Sequence, residues 1–191
     1  MKSDVRQYYE SMDHEQVLTH CRMFIKDKRI LSLIAQYLNH CEIFNGDHRL
    51  IERGITKGCS LSPLMGAIIL KSLDTSISKE NFYARYMDDW VILVKTRGQL
   101  RRVVKKMHRI MAQLHFNLAP DKTFIGRISK GFDFLGYRFN AQGIIGIALT
   151  AINKFLNNMA ALYEQGASAA RIQLYAKRWA SSFSGIPLPG P

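Results

Sequence analysis

Two β-prone runs, Phe82-Tyr83-Ala84-Arg85-Tyr86 and Trp90-Val91-Ile92-Leu93-Val94, flank Met87-Asp88-Asp89. Together they predict a tight hairpin with two adjacent carboxylates at its tip. That arrangement is costly, because like charges repel and apolar strand neighbours draw both groups toward low dielectric. A divalent cation resolves the conflict, and Mg²⁺ is held by one or two carboxylates plus phosphate oxygens. The dipeptide by itself says little, since an Asp-Asp pair arises by chance in roughly half of chains this long. Its weight comes from the hairpin and from what accompanies it.

The accompanying pattern alternates helices with short strands. Asp13 and Gln16 read as a capping box opening a helix with Val17, Leu18, Cys21 and Ile25 on one face. A second stripe runs through Ile30, Leu31, Ile34, Tyr37, Leu38 and Cys41. Glu42-Ile43-Phe44 and His48 to Glu52 around Asn45-Gly46 predict a small hairpin. Ser62 is expected to cap a third helix with Pro63 at its first position. From Gly98 to His115, Leu100, Val103, Val104, Met107, Ile110, Met111 and Leu114 form one helical face, and Arg101, Arg102, Lys105, Lys106 and Arg109 another. Phe132 to Phe139 alternates like one strand. Thr150 and Ser168 are expected caps of two later helices, with Gly166 stopping the first and the Pro-rich end at residues 186–191 unable to be helical. The fold class expected is α+β, a sheet backed by helices and followed by a helical tail.

A formal net charge of +12, with 22% charged and 47% hydrophobic residues, describes a foldable chain that seeks a polyanion. No apolar run approaches the roughly 18 residues of a membrane span, so nothing spans a bilayer. Of the two polyanions that fit the charge, nucleic acid or an acidic membrane surface, nucleic acid is the expected partner and a membrane is not. Cys21, Cys41 and Cys59 make a poor disulfide framework and fit a reducing, cytoplasmic setting. The pairs His20-Cys21 and His40-Cys41 lack the close cysteine spacing of a structural zinc site and read as buried thiols in helical stretches.

Five segments in order then carry a resemblance. Asp4-Val5 with Tyr8-Tyr9 and Met12-Asp13-His14 resembles the first palm block of reverse transcriptases of the bacterial group II intron and retron type. Gly54 to Leu64 looks like the second, Arg85-Tyr86-Met87-Asp88-Asp89-Trp90 the third, Leu118-Ala119-Pro120-Asp121-Lys122-Thr123 the fourth, and Phe134-Leu135-Gly136-Tyr137 the fifth. No single block would suffice, and Met87 before the two aspartates is similar to this family rather than to viral RNA-dependent RNA polymerases.

The resemblance implies RNA-directed DNA synthesis in a polymerase palm over 1–140, followed by a partial helical thumb over 141–191. Its expected cofactors are two Mg²⁺ ions, with Mn²⁺ as a substitute, held by Asp4, Asp88, Asp89 and the carbonyl of Val5. Asp4 and Asp88 are the expected bridging ligands. Asp89 is expected to be weaker, because consecutive strand residues point to opposite faces. Tyr9 stands at the family's steric gate against a ribose 2′-hydroxyl, and Gly58, Ser62 and Pro63 line the nucleotide. Lys122 is expected to steady or protonate departing pyrophosphate, and Phe134, Leu135, Gly136 and Tyr137 to grip the primer. Without the resemblance, Tyr9 would read as a core aromatic, Lys122 as a surface charge and the stripe from Arg101 to Arg109 as a solvated face. With it, that stripe is expected to meet a nucleic-acid backbone. The implied partners are an RNA template, a DNA or RNA primer and deoxynucleoside triphosphates.

Family members carry fingers before the first palm block, whereas Asp4 follows Met1 almost at once. The expectation is a truncated form lacking fingers, with a frayable first strand, impaired alone or completed by a fingers-bearing polypeptide. The alternative is an inactive remnant or basic nucleic-acid-binding module that keeps the palm fold.

Overall fold

The computed structural model describes residues 1–39, 41–44, 47–50 and 53–183. Two compact units divide the chain, Met1–Phe124 and Ile125–Pro191.

The first unit is built on a three-stranded antiparallel sheet in the order β1 (Lys2–Asp4), β5 (Asp89–Leu93), β4 (Phe82–Tyr86). Helices α1 (His14–Phe24) and α2 (Lys28–Leu38), and the strand pair β2 (Cys41–Phe44) and β3 (Asp47–Leu50), fill the chain after β1. Helices α3 (Ser62–Ile69) and α4 (Lys71–Ser78) precede the β4–β5 hairpin, and α5 (Arg97–Gln113) follows it. Residues directly opposite in an antiparallel pair share a face. The registers Ser3↔Trp90, Arg85↔Trp90 and Tyr83↔Ile92 therefore put these five side chains on one face. Asp4↔Asp89 and Tyr86↔Asp89 share the other. α4 covers the first face, since Asp74 accepts from Tyr83 and Arg85, and α5 packs beside α4. Trp90, Ile92, Leu73, Ile77, Met107 and Met111 close a core there with almost no exposure.

The start of the chain is pinned, contrary to the expected fraying. Met1 is buried, its amino group donates to the Ile92 carbonyl at 2.8 Å, and Ile92 N–H donates back. A segment from Asn117 to Phe124 flanks the other edge of β1 through Arg6 N–H to Asn117, Ala119 N–H to Asp4 and a reciprocal Lys2–Phe124 pair. A strand bonded on both edges does not fray, whatever its position in the sequence.

Several local expectations shift. Asp13 does cap α1, accepting from Gln16 N–H at 2.9 Å, but the Gln16 side chain does not close the box and its Oε1 is a buried acceptor without a donor. Leu61, not Ser62, caps α3, because the buried Ser62 hydroxyl is taken by the Thr56 carbonyl at 2.6 Å and by Tyr37. Cys59 lies in the turn before α3 and Cys41 in β2, so only Cys21 is helical, packed on Met65. The β2–β3 pairing agrees with the expected hairpin. His40, Asn45, Gly46 and residues 186–191 lie outside the described residues.

In the second unit the expected single strand from Phe132 to Phe139 is a hairpin of β6 (Phe132–Phe134) and β7 (Tyr137–Asn140), extended by β8 (Gly143–Ile147). Leu135 at φ 50° and Gly136 at φ 84° make the two-residue turn that alternation alone conceals. Helices α6 (Leu149–Glu164) and α7 (Ala169–Ser181) follow, with Phe155 stacked on Trp179 at 4.2 Å. Ala148 rather than Thr150 occupies the cap of α6, because the helix begins two residues earlier, at Leu149. Ser168 caps α7, and Gly166 at φ 70° ends α6 as expected. No helix among the described residues is long and apolar enough to cross a membrane.

Candidate active site

The β4–β5 hairpin turns through Met87 and Asp88 alone, with Tyr86 and Asp89 as the closing pair. Met87 adopts φ 53°, a region that side-chain-bearing residues rarely enter and that clusters at functional sites. β1 runs antiparallel along β5, so Asp4 lies directly across from Asp89. Residues far apart in sequence are thus brought together by backbone register.

Lysines partner two of the three carboxylates. Lys122 sits on the short 3₁₀ turn Pro120–Lys122, which interrupts the segment bonded to β1, and its Nζ donates to Asp4 Oδ2 at 3.1 Å. Lys2 Nζ lies 3.5 Å from Asp89 Oδ1, near enough for attraction but too long for a good hydrogen bond. Asp4 Oδ1 and Asp89 Oδ1 are buried acceptors without a donor. Burial pushes the Asp88 carboxyl above its usual range, and the charges of Asp4 and Glu10 add to this against the pull of Lys122. Burial likewise lifts Asp89 to about 6, with Lys2 opposing and Asp4 and Asp88 reinforcing. The hydrogen bond to Asp4 raises Lys122, so its ammonium is held charged among the acids.

The Asp89 shift has a thermodynamic sign. A carboxyl raised in the folded state stabilises the fold fully below its unfolded value near 3.8, and that contribution is lost as pH climbs through about 6. The metal-free protein should therefore lose stability relative to Asp89→Asn between pH 4 and 7, by about 2–3 kcal/mol. Urea midpoints of both proteins across this range check the expectation; parallel curves would contradict it.

Tyr9 stands by this cluster: burial raises its hydroxyl and the Asp88 charge adds to the rise. Its neighbour Tyr8 is the core residue, bonded to the Gly66 carbonyl at 2.6 Å, where a β-carbon on Gly66 would come within 2.9 Å of the Tyr8 ring. Glu10 pairs with Lys57. Val5 is buried and bridges to Leu118. Gly58 has φ 86° with open space where a β-carbon would stand, so conformation rather than crowding within the chain calls for glycine. Ser62 is committed to Thr56 and Tyr37, and Pro63 is exposed at the start of α3.

Arg101, Arg102, Lys105, Lys106 and Arg109 are exposed on α5, in the helical layer and not on the Asp4–Asp89 face. Lys106 also donates to the Ser76 carbonyl at 2.7 Å. Phe134, Leu135, Gly136 and Tyr137 form the β6–β7 turn of the second unit, where Tyr137 packs edge-on to Phe183 at 5.2 Å.

Among the described residues no group of three or more His, Cys, Asp or Glu side chains is placed to hold a metal ion by itself. The two orphaned carboxylate oxygens nevertheless fit a cation that brings further oxygen ligands with it, as Mg²⁺ does with phosphates. Sequence reading missed Lys2, Asp74 and Arg85 as neighbours of the site. Arg85 stands inside the quoted third block, and a charged residue in an otherwise apolar strand was the available signal.

Residues 1–139 match the family described as Reverse transcriptase (RNA-dependent DNA polymerase). Protein YkfC of Escherichia coli (strain K12) is 25% identical over 174 residues, covering 72% of this chain and 46% of that protein. The chain thus spans about half the length of this curated relative. Apo telomerase from Candida tropicalis is similar in structure with a TM-score of 0.62 at 15% identity, over 73% of this chain and 30% of that one. The foamy viral protease-reverse transcriptase in complex with RNA/DNA hybrid gives 0.56 at 17% identity, over 82% of this chain and 18% of that one. At these identities the structural likeness concerns the fold, a mixed helix and antiparallel-sheet arrangement similar to palm and thumb regions.

Proposed function

Because the chain belongs to the reverse transcriptase (RNA-dependent DNA polymerase) family, we propose that it adds deoxynucleotides to a primer 3′-hydroxyl on an RNA template. In this reading 1–140 is the palm and 141–191 the start of a thumb. The observation that carries it is the register Asp4↔Asp89, which sets the N-terminal carboxylate beside the Asp88-Asp89 turn with two acceptor oxygens left over.

Asp4, Asp88, Asp89 and the Val5 carbonyl would hold the divalent cations, Mg²⁺ or Mn²⁺. Bound there, such ions activate the attacking hydroxyl and stabilise the departing pyrophosphate. The chain's own groups do the rest. Lys122, kept protonated beside Asp4, supplies positive charge or a proton to the leaving phosphates. Tyr9 presents its ring beside Asp88 and excludes a 2′-hydroxyl. The open space at Gly58 leaves room for the nascent base pair, flanked by Ser62 and Pro63, and the turn from Phe134 to Tyr137 grips the primer.

Extension of a primer on an RNA template with Mg²⁺ or Mn²⁺, beside an Asp88→Ala/Asp89→Ala control, tests the reading. Extension by the wild type alone supports it. Extension that is absent, or equal in the control, leaves a basic binding module.

The α5 stripe is the proposed contact for a nucleic-acid backbone. Arg97, Arg101, Lys105 and Arg109 recur every fourth residue, about 6 Å apart along the helix. No acidic residue occurs within α5 to offset their repulsion. Arg101→Glu/Lys105→Glu should flatten the slope of log affinity against log salt by about 2. Filter binding to an RNA/DNA duplex over a salt series measures this, and an unchanged slope would remove α5 from the interface.

A further inference from the structure

The side chain best placed to govern the Asp88 turn lies on the sheet face opposite Asp4 and Asp89. Arg85, on β4 three residues before Asp88, uses its guanidinium in two directions. Nε and Nη2 donate to the two carboxylate oxygens of Asp74 at 2.7 and 2.5 Å, and Nη1 donates to the Met87 carbonyl at 2.7 Å. Tyr83 adds a third donor to Asp74 at 2.7 Å. The Arg85 side chain is 13% exposed and that of Asp74 25%, so the pair is partly withdrawn from water, where a two-pronged charged contact is strong and directional. Asp74 belongs to α4, which is anchored in the core by Leu73 and Ile77, both fully buried. The Met87 carbonyl belongs to the residue held at φ 53°.

We infer that Asp74 and Arg85 form a positioning clamp, tying the Met87 carbonyl to α4 and thereby fixing the direction in which the Asp88 carboxylate leaves the turn. Asp74 orients the guanidinium, the guanidinium holds the carbonyl, and the carbonyl fixes the peptide leading into Asp88. A methionine in the left-handed region has no intrinsic preference for staying there, so an external hold is required. Only a planar fork can meet both Asp74 oxygens and a third acceptor at once; a lysine ammonium keeps the charge and loses that geometry. The clamp's consequence for metal binding rests on the polymerase reading above. Its effect on the turn does not.

Arg85→Lys and Tyr83→Phe separate positioning from plain stability, since both weaken the Asp74 network but only the first releases Met87. The primary readout is amide hydrogen exchange over Tyr86–Trp90 in metal-free protein below the melting range. Exchange there should rise at least fivefold in Arg85→Lys and stay within twofold of wild type in Tyr83→Phe. Mn²⁺ affinity, read from the free-ion paramagnetic resonance signal, should fall at least fivefold in Arg85→Lys alone. In single-nucleotide addition, kcat should fall tenfold or more with the nucleotide KM within threefold. Equal exchange in the two variants would overturn the clamp, and faster exchange in Arg85→Lys with unaltered Mn²⁺ affinity would overturn its consequence for metal binding. A wild type that binds Mn²⁺ and shows the exchange difference but extends no primer would refute the polymerase reading while leaving the clamp standing.

Discussion

Asp4→Asn is expected to abolish primer extension while leaving the fold intact. The substitution keeps the shape of the side chain and touches none of the main-chain bonds that hold β1, including Ala119 N–H to the Asp4 carbonyl. It removes one of three negative charges that share a partly buried corner, and with it the part that Asp4 adds to burial in raising Asp88 and Asp89. The ion pair lost involves a Lys122 side chain that is 54% exposed, so little stability goes with it. Melting temperature should hold steady or rise, whereas the extension rate should fall by about three powers of ten, corresponding to about 4 kcal/mol of lost transition-state stabilisation. That combination marks a group retained for chemistry at the expense of stability. Extension within tenfold of wild type would remove Asp4 from the site. A lost rate accompanied by a collapsed melt would make it a structural residue.

Trp90→Ala should have the largest effect on stability. Trp90 is fully buried between Ser3 and Arg85 in register, on the face covered by the helices, next in sequence to Asp89. Emptying such a site costs about 3–5 kcal/mol, against a total of about 5–15 kcal/mol for an ordinary domain. The indole Nε1 has no acceptor, so the ring contributes by volume and not through its polar end. Trp90→Phe, which discards the unpartnered N–H and keeps an aromatic ring, should lose less than half as much. Urea unfolding of the two variants gives the comparison, and equal losses would show that the indole nitrogen matters. Since Trp90 links the carboxylate-bearing strand to the helical layer, the Ala variant should also lose metal affinity in proportion to its unfolded fraction.

Much of this arrangement was legible before any coordinates. The β4–β5 hairpin around Met87-Asp88 follows from two apolar runs with charges between them, and α5 follows from its seven-residue apolar stripe, with a boundary error of a residue or two at each end. Caps were read correctly where a side chain had no rival partner, as at Asp13 and Ser168. They were misplaced where tertiary contact intervened: the Ser62 hydroxyl serves Thr56 and Tyr37, partners no local pattern announces. Phe132 to Phe139 misled because a two-residue turn with positive φ at Leu135 and Gly136 barely disturbs alternation.

Long-range pairing was the harder part. The segments near Asp4, Asp88 and Lys122 could be ordered by resemblance, but Lys2 beside Asp89 and Asp74 beneath Arg85 depend on strand register and on which face α4 covers. The same cause put the basic stripe in a helical layer away from Asp4 and Asp89, a placement composition cannot convey.

Localised backbone cleavage by bound iron tests the convergence of these segments most directly. Fe²⁺ replacing Mg²⁺, with ascorbate and peroxide, cuts the chain beside wherever the ion sits. If one cation site joins the three segments, fragments should end near Asp4, near Asp88 and near Lys122 together, and excess Mg²⁺ should suppress all three. Cuts at only one of these places, or at none, would contradict a shared site.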